Sequence, residues 1–260
     1  MTPRWVLVSA QTAARGVVVE RGGLAVSLGF YVLVVAVLAG LWRVAADANG
    51  GSIAGYSAIA LTWYIAASEA ATVSLNLRMI DDIGQDVSSG AVAVELLRPA
   101  PVLGVRVATE IGRALPRLGA IAAAGAAVAT VTAGAPPRFG ALALAVPSLV
   151  LAIACNIVCQ HAFAAAAFWV RDAGSTWFLY QKLVFILGGM LIPLEVLPGW
   201  LRQVTSVLPF RAMAYAPARL ASGAFEPVLL LEQVGWLAVL FLAATAAFNA
   251  GERRLQVVGG

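Results

Sequence analysis

The sequence predicts an all-α integral membrane protein with six transmembrane helices. It adds an N-terminal interfacial helix, a short polar-side docking helix and a set of half-helices that dip in from the opposite surface. Three observations lead there. The chain is 61% hydrophobic with only 12% charged residues and a mean hydropathy of +0.89, more apolar surface than a water-soluble core could bury. Its apolar runs approach the length of a bilayer crossing, and no recurring two-residue alternation suggests a barrel. Finally, ten of its charged residues are concentrated between Arg78 and Arg117, so one polar island interrupts an otherwise apolar chain.

In chain order, residues 3–21 mix Trp5, Val6, Leu7 and Val8 with Gln11, Arg15, Glu20 and Arg21. That is too polar to span and suits a helix lying in the interface with Trp5 at headgroup level. The stretch lacks a signal-peptide apolar core followed by a small-residue cleavage site, so no removal is expected. Spans are expected at 24–42, 55–77, 114–133, 141–169, 176–194 and 228–248, all within one membrane domain covering residues 1–260. The third is rich in Ala and Gly, which lets a neighbouring helix approach closely, and Pro147 marks a kink or start in the fourth. A short tail with Arg253 and Arg254 follows the last span.

The island occupies 78–104. Ser88-Ser89-Gly90 interrupts it, with Asp86 or Ser88 placed to cap a new helix, and Pro99 stops that helix because the residue before a proline avoids helical geometry. Val92, Leu96 and Leu97 fall on one side, flanked by Asp86, Glu95 and Arg98. Such a short amphipathic helix is a shape suited to docking on another protein. The segment 188–223 is different: apolar, yet broken by Pro193, Pro198, Pro209 and Pro217. No unbroken piece of it is long enough to cross, so re-entrant half-helices are expected.

Orientation follows from the basic residues. Placing the N-terminus inside leaves eleven Arg on that side and five outside, so both termini and the island are expected in the cytoplasm and 188–223 on the outer face. Three ionisable residues lie inside spans: Glu69, His161 and Lys182, each about 12 Å from the inner end by residue count. A polar layer with Glu69 facing Lys182 is one reading; Lys182 snorkelling to the headgroups is the other.

Several chemistries are excluded. The phosphate-loop pattern needs Gly-Lys, and the single lysine is Lys182, so ATP cannot be bound by that route. His161 is the only histidine, which leaves no metal cluster. No G-x-S-x-G elbow occurs. Cys155 and Cys159 share an apolar helix face and read as small hydrophobes. The net charge of +4 is distributed by membrane side and does not suggest nucleic acid.

Two stretches together resemble the permease subunits of ABC exporters of the type-2 permease family. One is Ile83–Pro99, IGQDVSSGAVAVELLRP, similar to that family's coupling segment, with Ala91-Val92 where many relatives carry a leucine–acid pair. The other runs from Gly188 to Pro217, with Gly188-Gly189, Ile-Pro-Leu at 192–194, Pro198, Leu-Pro-Phe ending at Phe210, and Pro217. The resemblance implies a multi-pass protein of the bacterial cytoplasmic membrane that exports a drug, lipid, glycan or natural product. It implies a second permease copy or a related chain, and two separate ATPase subunits docked on Ile83, Asp86, Gly90, Val92, Glu95 and 96–99. The chain itself would carry no cofactor; ATP and Mg would sit on the ATPase. Competing readings are a proton-coupled secondary carrier using Glu69, against which the lack of an inverted repeat argues, and a non-catalytic membrane scaffold.

Overall fold

A computed structural model describes residues 4–19, 21–97, 100–170 and 173–258. Helix α1 (Arg4–Val19) precedes α2 (Arg21–Ala48). A two-residue hairpin, β1 (Ser52–Ile53) with β2 (Tyr56–Ser57), turns the chain into α3 (Ala58–Val73). There the Ser57 hydroxyl accepts from the Ala60 amide at 3.2 Å, capping the helix start. Two short helices follow, α4 (Met79–Ser88) and α5 (Ala91–Leu96), then α6 (Val102–Ala133) and α7 (Phe139–Ala164). The last of these runs into a 3-10 turn at Ala165–Phe168. Beyond α8 (Ala173–Leu187) lies a broken segment: a 3-10 turn at Leu194–Val196, α9 (Gly199–Ser206), α10 (Phe210–Met213) and α11 (Tyr215–Ala221). The long α12 (Val228–Val258) closes the chain.

Helices α2, α6, α7 and α12 are long and apolar enough to cross a membrane. Only 17% of the most apolar stretch of α2 is buried, against 56% for α7, so α2 offers most of its surface outward while α7 is an inner helix. At the centre stands α3, with every residue from Ala60 to Ala71 buried. A helix that is apolar all round is one that neighbours enclose; here those neighbours are α2, α6, α7 and α11. It has 16 residues and α8 has 15, each rising less than about 25 Å.

Glycines set the closest approaches. A Cβ on Gly112 of α6 would lie 2.2 Å from the Ala10 carbonyl oxygen of α1, and one on Gly104 would lie 2.6 Å from the Trp5 ring. Gly125, farther along α6, receives the Tyr31 side chain of α2, whose hydroxyl donates to the Ala66 carbonyl at 2.7 Å. Thus α1 and α2 both seat on α6 through absent side chains. On the other side, buried Gln233 of α12 donates to the Ser148 and Ala212 carbonyls at 3.0 and 2.8 Å and accepts from the Ser148 hydroxyl at 2.9 Å. It ties α12 to α7 and α10.

Several expected boundaries are corrected. Residues 52–57 form the hairpin, so the second apolar helix starts at Ala58 and ends at Val73 rather than covering 55–77. The polar segment expected to reach 104 ends earlier, because α6 begins at Val102 and continues through Pro116 without a break. Gly188 and Gly189 stop the helix expected at 176–194; it ends at Leu187, and Gly189 has φ +66°, where a side chain is strained. The tail after 248 is helical to Val258. Trp5 lies over Gly104, where the missing Cβ offers its ring a place against α6.

Candidate functional site

The polar island folds as two helices, with the break at residues 89–90. Gly90 sits between them at φ +78°, a left-handed turn that favours glycine. Ile83 points inward from α4 and is 2% exposed, where α4 packs on α7 and α8. Both helices are held to α6 by one side chain. Arg106 donates from Nη2 to the Asp86 carboxylate at 2.7 Å and from Nε to Glu95 at 2.8 Å, so a single fork grips both halves of the island. That pairing engages Asp86 and Glu95 within the chain, while both carboxylates stay partly exposed.

Val92 is corrected as well. Expected on the docking face, it is 1% exposed and packs into the chain's own core. Leu97 is 85% exposed, and so is most of Val94, at 63%. Among the described residues from 91 to 97, the outward apolar surface is therefore Val94 and Leu97. Arg98, Pro99 and the side chain of Leu96 lie outside the described residues.

Behind the helix pair lies a cleft of about 340 Å³. Its walls carry Asn76, Asp82, Asp86, Glu95 and Glu110 together with Arg106 and Arg113, and His161 of α7 contributes to its lining. Arg113 meets Glu110 at 2.6 Å, one turn away on α6. Among the described residues no group of three or more His, Cys, Asp or Glu could hold a metal ion.

A family model described as "ABC-2 family transporter protein" matches residues 31–259. The chain belongs to the ABC-2 transporter family. No curated protein matches it. It is thus a multi-pass membrane protein of permease type, a non-catalytic membrane component of the kind that partners ABC ATPase subunits.

Within this ABC-2 protein the three ionisable residues of the apolar helices have different surroundings. Glu69 is 5% exposed inside α3 and makes no ion pair with Lys182 among the described residues. Lys182 is on the exposed side of α8 with its Nζ 5.1 Å from the Phe178 ring centre. His161 is fully buried, its Nδ1 2.8 Å from the Ile157 carbonyl. Residue counting gave all three a similar depth but not their rotation about each helix axis, and that rotation separates them.

The proline-broken segment is anchored rather than loose. Gly188, Gly189, Pro193, Phe210 and Pro217 are buried, Pro209 is half-buried and Pro198 is exposed. The Tyr64 hydroxyl of α3 donates to the Gly189 carbonyl, and the Ser68 hydroxyl donates to that of Met190 at 2.7 Å. Arg219 of α11 meets Glu226 at 3.0 Å and Glu195 at 3.7 Å, and stacks 5.2 Å from the Tyr56 ring. Tyr215 donates to Glu195 at 2.6 Å. Burial alone would lower the Arg219 pKa, but Tyr56, Tyr215 and Glu226 hold it above the usual arginine range. A second pair, Arg211 with Glu232 at 3.0 Å, ties α10 to α12.

Sequence reasoning missed Arg106, Val94 and the Arg219 cluster. Arg106 lies 20 residues from Asp86 and 11 from Glu95, across a helix break, so no periodicity links them. Val94 carried a signal: it lies three residues from Leu97, on the same side of one helical turn.

Proposed function

We propose that the chain is the permease subunit of an ATP-driven exporter that moves a drug, lipid, glycan or natural product outward across the bacterial cytoplasmic membrane. In this reading it crosses the membrane six times, with α3 and α8 as the two short crossings and both termini in the cytoplasm. A second permease, identical or related, completes the path. Two ATPase subunits seat on α4–α5, and ATP and its Mg²⁺ belong to them.

The observation that carries this reading is the helix pair itself: two short helices gripped by Arg106, with Val94 and Leu97 turned outward. Closure of the ATPases would press on α4–α5. Arg106 passes that displacement to α6, and α6 takes α1 and α2 with it through the contacts at Gly112 and Gly125. A rigid helix carried by tight packing moves as a body. At the far end, the ion pairs of Arg219 and Arg211 keep the broken segment in register with α12.

Two experiments test the reading. A cysteine at Asn49 or Gly199 is expected to react with an impermeant maleimide from outside, and one at Ser88 only after permeabilisation; external labelling at 88 overturns the orientation. Co-reconstituted with its ATPase in liposomes, the chain is expected to support ATP-dependent outward movement of substrate. Transport driven by a proton gradient without ATP would instead favour a secondary carrier.

A further inference from the structure

We propose that the cleft behind α4–α5 is a binding site for a small organic dication bearing N–H donors, such as a diamine, entering from the α4–α5 end. Its charges are unbalanced. Asp86 and Glu95 share one guanidinium, that of Arg106. Glu110 is matched by Arg113. Asp82 receives only the neutral Asn76 amide, at 3.2 Å, and has no basic partner among the described residues. Among the described residues, two carboxylate charges on these walls therefore lack a countercharge, and a cation that crosses between them supplies both.

A second observation comes from His161. Its Nδ1 lies 2.8 Å from the Ile157 carbonyl oxygen, which can only accept, so in the neutral ring Nδ1 carries the hydrogen. Nε2 is then an acceptor. It is buried and has no hydrogen-bond partner, on a residue that is fully buried and lines the cleft. An unpaired buried acceptor calls for a donor. A ligand N–H meets that need, whereas a quaternary ammonium of equal charge does not. The cleft of about 340 Å³ has room for a short-chain diamine. With no three ligating side chains in reach of one point among the described residues, a metal ion is the poorer match.

The test uses the full chain in lipid nanodiscs, titrated calorimetrically with 1,5-diaminopentane and with pentamethonium, which keeps the five-carbon spacer and both charges but has no N–H. Diaminopentane is expected to bind about tenfold more tightly than pentamethonium, the loss of one hydrogen bond to a buried acceptor. Asp82→Asn is expected to weaken both compounds by a similar factor. His161→Leu should lower diaminopentane affinity to that of pentamethonium and leave pentamethonium unchanged. Should the histidine variant fail to fold, the two ligands on the unaltered protein and Asp82→Asn decide the matter. Equal affinity for the two compounds, no binding of either, or indifference to Asp82→Asn overturns the proposal. Displacement of the diamine by millimolar Mg²⁺ at constant ionic strength overturns it in favour of an inorganic cation.

Discussion

Arg106→Met is expected to lower substrate-stimulated ATP turnover about tenfold or more while the chain still inserts and still binds its ATPase. The reason is mechanical. Asp86 and Glu95 stand on two different short helices, and Arg106 is the side chain that fastens both to α6. Methionine keeps the aliphatic bulk and removes the fork. Both carboxylates are partly solvent-exposed, at 40% and 34%, so screening limits the stability loss to about 1–2 kcal/mol. The loss of coupling is larger, because α4 and α5 then move without moving α6. A triple variant, Arg106→Met with Asp86→Asn and Glu95→Gln, separates the two effects. Removing the stranded charges is expected to restore the melting temperature but not the stimulated turnover. If turnover returns with stability, Arg106 serves only to balance charge.

Gly112→Val is expected to dislodge α1. The close approach is backbone to backbone: the added Cβ would meet the Ala10 carbonyl oxygen at 2.2 Å, and no side-chain rotation relieves that. Overpacking of this kind costs about 1–3 kcal/mol, here concentrated on one helix pair. The expected readouts are a lower melting temperature and faster trypsin cleavage at the exposed Arg15. Gly119→Val is the control, since nothing lies within 4 Å of a Cβ there on the same helix. Equal behaviour of the two variants would remove the glycine contact from the account of how α1 is held.

What the sequence could and could not disclose divides along physical lines. The long apolar helices are legible because hydropathy needs no knowledge of neighbours: Leu24–Trp42 lies within α2, and residues 228–248 lie within α12. The island is legible for the same reason, and its break at Ser88–Gly90 is where Gly90 turns left-handed. Side-chain direction is another matter. Spacing alone puts Val92 on an outer face, yet α5 has six residues, and so short a helix takes its rotation from whatever it packs against. Glu69 and Lys182 share a depth that counting reveals, but one is enclosed within α3's packing and the other lies on the outer side of α8. Arg106 carries the tertiary link itself, and a contact spanning 20 residues and a helix break leaves no periodic trace.

The central claim is that α4–α5 is where an ATPase subunit docks, through the outward surface of Val94 and Leu97. The most direct measurement is pull-down of the ATPase by the affinity-tagged double variant Val94→Asp with Leu97→Asp. Both positions are exposed, so the bundle and the Arg106 fork are expected to survive, with an unchanged melting temperature and normal membrane insertion. Two apolar anchors together contribute about 3 kcal/mol or more to such an interface, and replacing them with carboxylates is expected to abolish co-purification and ATP-dependent transport together. A double variant that still retains its ATPase and still transports would contradict the account and place the docking site elsewhere on the chain.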